Sequence, residues 1–143
     1  MEEYVRSFQT LSNKTRLKIM WVLSKANPEI CVCEIMDSLD ESQYNVSRNL
    51  KVLKNAGFVR ERKEGRWVFY SLVKPVKKFQ EFVLKAVSSL PEELFSRESE
   101  RLKKRLSLRK NGKCIVGINS EEWHRILKRL EAKGGKRHVQ KAE

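Results

Sequence analysis

The stretch SQYNVSRNLKVLKNAGFV, residues 42–59, decides the fold of this 143-residue chain. Ser42 is a favourable N-cap residue and Gly57 stands where a helix would end, so a helix is predicted from Ser42 to about Ala56. The apolar residues of this helix recur at spacings of three and four, which places them on one side. The side expected to be buried consists of Val46, Leu50 and Leu53.

A basic β-hairpin is predicted directly after this helix. Residues 58–72 contain two β-rich arms that flank the charged turn Glu64-Gly65. Upstream, apolar residues at helical spacing predict helices over about residues 2–10, 12–25 and 32–39. Helices that end in a helix-turn-helix pair and are followed by a hairpin form a winged helix-turn-helix, a mainly α fold (α+β class) with a small β-hairpin.

Residues 75–90 are predicted to form a helix whose apolar stripe is too long for a small winged domain to cover alone. Pro75 suits the first turn, and the apolar residues recur at helical spacing. They are Val76, Phe79, Phe82, Val83, Ala86, Val87 and Leu90. We therefore expect a homodimer through terminal helices, with packing of the stripe on the chain's own domain as the alternative.

The chain is predicted to consist of three parts. Residues 1–90 form a winged helix-turn-helix domain that binds DNA and dimerises. Residues 91–133 form a helical extension with a possible short strand, and residues 134–143 form a basic disordered tail. Pro91 marks the first boundary, and the pair Gly134-Gly135 marks the second.

The extension is predicted to contain two helices. Ser96 is expected to cap the first, which ends near Arg109 and either pairs across the dimer or extends into solvent. Asn111-Gly112 indicates a turn, and residues 114–118 are expected to form the short strand. Ser120 is expected to cap the last helix.

The composition favours a nucleic-acid partner. Lys and Arg number 31 against 18 Asp and Glu, which gives a formal net charge of +13. Such an excess favours a polyanion, because neutralised phosphates release counterions. No segment approaches the roughly 20 apolar residues needed to cross a bilayer, and the N-terminus lacks the pattern of a signal peptide. We therefore expect a cytoplasmic protein with no membrane partner.

The start of the helix at residues 42–56 is expected to read DNA, because that end of a recognition helix reaches base edges in the major groove. The candidates on this helix are Ser42, Gln43, Tyr44, Asn45, Ser47, Arg48 and Lys51. Gln43 and Asn45 can contact adenine, and Arg48 can contact guanine. The hairpin candidates, which suit phosphates or a narrow minor groove, are Arg62, Lys63 and Arg66. A solvated polar surface is the alternative.

Residues 42–59 resemble the recognition-helix signature of the ArsR/SmtB family of winged-helix repressors. The segment LSNKTRL, residues 11–17, and the hairpin with Gly65-Arg66 are similar to the same family. The resemblance covers roughly residues 4–90. It implies a homodimer that represses transcription from an imperfect inverted repeat of operator DNA and is released when an inducer binds.

The segment EICVCEI, residues 29–35, closely resembles the thiolate motif of the arsenite-responsive branch of this family. The resemblance implies that Cys31 and Cys33 bind As(III) or Sb(III) as the inducer. Thiolates do favour soft, thiophilic ions. An odd number of cysteines, two of them one residue apart, also suits metal or redox chemistry better than a disulfide framework in a reducing compartment.

The spacing of these two cysteines constrains the local backbone. Residues two apart on a regular helix lie on nearly opposite sides. Cys31 and Cys33 therefore cannot bind the same ion if both lie in a regular helix. Either binding unwinds the first turn, or the helix begins only after Cys31. Each arrangement would connect the inducer to the helix at residues 42–56, which offers a route to DNA release.

The third ligand is left open by the sequence, because Met36 stands where the best-known pattern of the branch has a third cysteine. Cys114 could complete a three-sulfur site if the C-terminal segment folds back or crosses to the partner subunit. The alternatives are a two-thiolate site, or Cys114 as a small core residue. Zinc held by the three cysteines and a further ligand is the less favoured metal.

Other functions remain alternatives to an inducer-released repressor. A redox or persulfide sensor could use the same thiols, which could also be buried and inert, and an architectural DNA-binding protein would need no inducer. An enzyme is not expected, since the sequence contains no Gly-rich phosphate loop and no HExxH or GxSxG motif. The two histidines, His124 and His138, both lie near the C-terminus and are not expected to be ligands.

Overall fold

The computed structural model describes residues 1–26 and 29–140. Asn27-Pro28, where the proline predicts a break after the second helix, and residues 141–143 lie outside the described residues. The α-helices are α1 (Glu2–Leu11), α2 (Lys14–Lys25), α3 (Val32–Leu39), α4 (Gln43–Asn55), α5 (Lys78–Ser88), α6 (Ser96–Leu106) and α7 (Glu121–Gln140). The strands are β1 (Ile30–Cys31), β2 (Val59–Glu64) and β3 (Trp67–Leu72), and a 3-10 helix covers Glu92–Phe95.

Helices α3 and α4 form the predicted helix-turn-helix pair. Asp40 adopts the left-handed conformation with φ of 56° and ends α3. The Ser42 hydroxyl accepts a hydrogen bond from the Asn45 N–H at 3.1 Å and so caps α4, as predicted. Gly57 follows α4 with φ of 82°, a conformation that glycine adopts readily because it has no Cβ.

The predicted hairpin is present, and a third strand extends it. Strands β2 and β3 pair antiparallel from Val59–Leu72 to Glu64–Trp67, and we call this hairpin the wing. Strand β1 pairs with the other edge of β3, so the sheet order is β1-β3-β2. In this pairing Cys31 lies opposite Phe69, which joins the cysteine segment directly to the wing.

One core unites the winged domain with the extension. Its fully buried centre comes from α2, α3 and α4 and includes Ile19, Met20, Trp21, Ile35, Val46, Leu50 and Leu53. Trp21 stacks on Phe95 of the 3-10 helix with ring centroids 4.6 Å apart. Leu102 of α6 belongs to the same core. The residues after Pro91 therefore complete this core.

Helix α6 packs on α3 through ion pairs, whereas we expected it to pair across a dimer or extend into solvent. Arg105 is 1% exposed, and its Nε donates to the Asp37 carboxylate at 2.7 Å. Arg109 lies one turn further on and donates to the Glu34 carboxylate at 2.7 Å. Arg101 donates to the Asp37 carbonyl oxygen at 2.7 Å. Arg101 and Arg105 of α6 and Arg109 just past its end, spaced by four, thus meet Asp37 and Glu34, which are spaced by three on α3.

Helix α5 begins at Lys78 and not at Pro75, the predicted first turn. The Gln80 side chain accepts hydrogen bonds from the N–H groups of Val76 and Lys77 at 2.9 and 3.2 Å. These bonds satisfy N–H donors ahead of the first turn, so the helix starts after them.

Two predictions for the extension are wrong. Residues 114–117 form no strand, and an isolated bridge between Lys110 and Lys113 closes the predicted Asn111-Gly112 turn. The Val116 carbonyl instead accepts from Arg105 of α6, so that segment runs along a helix. The tail predicted to be disordered from Gly134 is helical as far as Gln140, where α7 ends, and residues 141–143 lie outside the described residues. Good helix formers around the glycines offset a cost of about 1 kcal/mol for each glycine.

Helices α1 and α5 share an apolar surface that this chain covers only in part. Val83 and Val87 of α5 are buried in the core, while Phe8 of α1 and Phe82 of α5 are each 63% exposed. The ring of Phe79 packs edge-on against Phe8 and so joins the two helices. No described helix is long and apolar enough to cross a membrane.

The ion pairs between α3 and α6 predict a large effect of one substitution. Arg105→Ala should lower the free energy of unfolding by about 3–5 kcal/mol, because it leaves the mostly buried Asp37 carboxylate unpaired. Arg97→Ala is the matched control, since it removes an exposed pair with Asp40 and should cost less than about 1 kcal/mol. Urea unfolding measures both. Equal small losses would show that the buried pair does not hold α6 in place.

Candidate functional site

The three cysteines meet at one place in the fold. Cys31 ends β1, Cys33 lies in the first turn of α3, and Cys114 comes from the segment after α6. Their exposed fractions are 1%, 5% and 8%. The structure therefore brings together all three sequence-predicted metal ligands in a buried group, which we call the thiol cluster.

The sulfur atoms of the thiol cluster lie within 4.8 Å of one another. The Sγ atoms of Cys31 and Cys33 are 2.50 Å apart. The Cys114 Sγ lies 3.0 Å from that of Cys31 and 3.6 Å from that of Cys33. Because Cys114 belongs to the same chain, the extension folds back and no partner subunit is needed to assemble the group.

The backbone at Cys31 explains how two cysteines so close in sequence point to the same place. Cys31 is the N-cap residue of α3, with extended dihedrals of φ −81° and ψ 159°. The helix begins only at Val32, which is one of the two arrangements that the spacing left open. Cys33 is thus the only one of the two that follows helical geometry.

A buried carboxylate holds the first part of the cluster. Glu34 is fully buried, and its Oε1 accepts the N–H of Cys31 at 3.0 Å. Arg109 donates to both oxygens of this carboxylate, at 2.7 and 2.8 Å, and also to the Glu29 carbonyl at 3.0 Å. One ion pair therefore fixes the backbone at Cys31 and anchors the segment that leads to Cys114.

The second part of the cluster surrounds the carbonyl oxygen of Val116. This oxygen accepts a hydrogen bond from Arg105 and lies 3.7 Å and 3.6 Å from the sulfur atoms of Cys33 and Cys114. Burial, and then the negative charge of Glu34, raise the pKa of Cys114 to about 11. Cys114 is therefore a neutral thiol at physiological pH.

Two aromatic rings of the wing cover the cluster. Trp67 and Phe69 of β3 pack against the three cysteines. Arg66 lies over the Trp67 ring at 5.1 Å, and Arg62 lies over the Phe69 ring at 4.6 Å. Through these two rings, a structural change in the cluster would also move Arg62 and Arg66 of the wing.

The sequence reasoning missed the charged residues that build the cluster. The acidic residues of α3 are spaced by three, and the arginines of α6 and of the segment just past its end are spaced by four, which is a readable signal that each set lies on one side. The pairing between the two helices joins residues 68 and 75 positions apart, and no local pattern reports it. These residues are Glu34, Asp37, Arg105 and Arg109.

The predicted DNA-reading residues of α4 form an exposed surface. Ser42, Gln43, Tyr44, Ser47, Arg48 and Lys51 are exposed. Tyr44 is 76% exposed, and the Arg48 guanidinium lies 5.7 Å from its ring centre. Asn45 differs from these residues, because it is partly buried and donates to the Glu41 carboxylate at 2.8 Å.

The wing places its three predicted basic residues differently. Lys63 and Arg66 are exposed beside α4. Arg62 is held by two carboxylates, those of Glu29 and Glu64, at distances of 2.5 and 2.6 Å. Its charge is already partly neutralised, so Lys63 and Arg66 are the freer cations of the wing.

A cleft of about 450 Å³ separates α4 from the wing and reaches the cluster. Gln43 and Ser47 line it on the helix side, and Lys63 and Arg66 line it on the wing side. The remaining lining residues include Cys31, Cys33, Trp67, Tyr70 and Ile118. Buried Cys31 and Cys33 therefore line the inner wall of a cleft that opens between α4 and the wing.

Known proteins match this chain. A family model described as "Bacterial regulatory protein, arsR family" covers residues 13–61. The arsenical resistance operon repressor of Escherichia coli K12 is 41% identical over 68 residues, which are 48% of this chain and 57% of that protein, less than two thirds of its length. The arsenic resistance transcriptional regulator ArsR1 of Pseudomonas putida KT2440 is 34% identical over 95 residues, 66% of this chain and 73% of the relative.

A further relative and a solved structure agree with these matches. A cadmium resistance regulatory protein CadC homolog of Staphylococcus aureus is 41% identical over 70 residues, 49% of this chain and 57% of that protein. The homodimeric winged helix-turn-helix DNA-binding domain of a possible ArsR-family regulator from Mycobacterium bovis superposes with a TM-score of 0.52 at 25% identity, over 64% of this chain and 81% of that one. By its sequence and by its winged helix-turn-helix fold, this chain belongs to the ArsR family of bacterial regulatory proteins.

Proposed function

We propose that this protein is a homodimeric repressor that binds operator DNA and is released when As(III) or Sb(III) binds to Cys31, Cys33 and Cys114. The observation that carries the proposal is the group of three buried sulfur atoms within 4.8 Å of one another. Regulators of arsenic resistance among the relatives support the same inducer.

The chemistry of arsenite suits a buried group of reduced cysteines. Arsenous acid is uncharged, and each of its three hydroxides can leave as water with one thiol proton while one As–S bond forms. The buried site therefore gains no net charge. Zn²⁺ would bring two charges, displace thiol protons to solvent and take four ligands in a closed site. Within the described residues, the group of possible metal ligands at this site comprises the three cysteines alone.

The DNA-binding surface in this proposal combines the start of α4 with the wing. Ser42, Gln43, Tyr44, Asn45, Ser47 and Arg48 would reach base edges, and Lys51 would contact a phosphate. The wing would contribute Lys63 and Arg66 to phosphates or the minor groove, with Arg62 in a lesser role because two carboxylates hold it. The exposed faces of α1 and α5, which include Phe8 and Phe82, would form the dimer contact.

Release of DNA follows from the position of the thiol cluster. Cys31 is paired with Phe69 of β3, and Trp67 covers the sulfur atoms. Drawing three sulfurs around one ion would shift β3 and the first turn of α3 together. The two DNA-binding elements, the wing and the helix-turn-helix, would then no longer keep the spacing that DNA requires.

A thiol redox sensor is the second candidate, favoured by the meeting of Cys31 and Cys33 in one buried group. A hydroperoxide could oxidise this pair, forming one S–S bond as the O–O bond breaks. The two thiol protons would leave with the reduced oxygens as water or alcohol. This function requires Cys31 and Cys33, and it does not require arsenite binding.

Release from DNA tests the proposed inducer. Fluorescence anisotropy of the reduced protein on DNA from upstream of its own coding sequence, at fixed salt, should show two chains per duplex and release by arsenite. Cys31→Ser and Cys33→Ser should bind DNA but resist release, and Cys114→Ser should need more arsenite because one bond is lost.

The other outcomes of that titration separate the alternatives. Release by peroxide but not by arsenite in the wild type would support the redox sensor. DNA binding that neither arsenite nor peroxide changes would identify an architectural protein. Equal release of wild type and all three serine variants would contradict the assignment of the cysteines.

The pH dependence of binding distinguishes arsenite from Zn²⁺. The bond to Cys114 should add little pH dependence to arsenite affinity between about pH 6 and pH 8, because its thiol proton leaves in water and is not released to solvent. Burial raises the pKa of Cys114 to about 11, so this residue stays protonated throughout that range. Zn²⁺ affinity should rise with pH, since each proton must be displaced. Competition titrations at three pH values measure this, and a tenfold change in arsenite affinity per pH unit would contradict the exchange described.

A further inference from the structure

We propose that α7 is a second DNA-contacting element, which binds backbone phosphates next to the surface read by α4. Helix α7 lies beyond the stretch matched by the family model, which ends at residue 61. The proposal rests on DNA binding by this chain and not on the identity of the inducer.

The first turns of α7 lie across a cleft from the start of α4. A cleft of about 430 Å³ has Ser42 and Gln43 on one side, at the start of α4, and Asn119, Trp123 and Leu127 on the other. The first turns of α7 therefore stand beside the end of α4 that is expected to enter the major groove. DNA bound to α4 would bring its flanking phosphates close to α7.

The attachment of α7 is firm at this end. Trp123 is 2% exposed, and the Arg101 guanidinium lies 5.5 Å from its ring centre. The Ser120 hydroxyl accepts the Trp123 N–H at 3.2 Å and caps the helix. Because Arg101 also binds the α3 backbone at Asp37, the start of α7 is held to the helix-turn-helix.

The charge of α7 fits a phosphate partner. Arg125, Lys128, Arg129 and Lys133 are exposed. Arg125, Lys128 and Arg129 lie on the side opposite Trp123, and Lys133 lies about one turn after Arg129. Arg125 has a loose contact of 4.0 Å with Glu121. A helix of 20 residues extends for about 30 Å, long enough to follow the DNA backbone beyond the major groove. Lys and Arg side chains on such a face position a protein on DNA without reading its sequence.

The link between α7 and the thiol cluster makes this contact part of regulation. Ile118, four residues after Cys114, lines both the cleft at the wing and the cleft at α7. Gln43 lines the same two clefts. A shift of the Cys114 segment would therefore move the start of α7 relative to α4.

The test compares two pairs of neighbouring cations in the full-length protein. Lys128→Gln with Arg129→Gln removes two charges from α7. Lys103→Gln with Lys104→Gln removes the same charge from an exposed part of α6, where Lys103 borders Glu92, Glu93 and Glu100 and no DNA-reading residue. For each double variant and the wild type, the binding constant on the upstream duplex is measured from 50 to 300 mM KCl, roughly the range over which phosphate contacts dominate. Circular dichroism checks that both variants are folded.

We expect the α7 variant to bind at least about tenfold more weakly and to lose about 2–4 units of the slope of log K against log salt, at about 0.9 per phosphate contact in a dimer. The α6 variant should keep the wild-type slope. Equal losses in both variants would show an effect of overall charge and overturn the proposal, as would an unchanged slope in the α7 variant. Failure of the wild type to bind any duplex would instead refute DNA binding itself.

Discussion

The buried ion pairs that join α3 to α6 and to the segment just after it are the constraint on which the candidate site depends. Arg109 binds both oxygens of Glu34, and Arg105 binds Asp37 and the Val116 carbonyl. Burial is costly for all four charges, and it raises the pKa of Asp37 despite the opposing effect of Arg105. Such pairs add little net stability, but breaking one leaves an uncompensated charge, so they specify one docking position for α6.

That docking position brings a sulfur atom from residue 114 to a pair formed more than 80 residues earlier. Glu34 connects the two segments, because it binds Arg109, which leads to Cys114, and also accepts the N–H of Cys31. The same few bonds thus set the start of α3, the path of the C-terminal segment and the separation of the thiols. Since β1 pairs with the wing and α3 leads into α4, both DNA-binding elements adjoin the cluster.

The sequence predicted the elements that depend on local chemistry. Ser42 and Gly57 bound α4 through a cap and a positive φ, and the β-rich arms that flank Glu64-Gly65 predicted the wing. Strand β1 was missed, because two residues are too few to show a period, and its pairing with β3 is decided by the tertiary fold. The thiol pair was readable from its motif, but the meeting of Cys114 with it depends on ion pairs between distant helices. The supposed strand at residues 114–118 failed for the same reason, since a neighbouring helix and not a strand binds its backbone.

In the proposed function, three sulfurs of one chain form a single binding site for As(III). X-ray absorption at the arsenic K-edge of the arsenite-loaded protein tests it most directly, because it counts sulfur neighbours around the bound atom. The account predicts three sulfur neighbours in the wild type, and two sulfurs with one oxygen in Cys114→Ser. Two sulfurs and one oxygen in the wild type, or a spectrum that Cys114→Ser leaves unchanged, would contradict it.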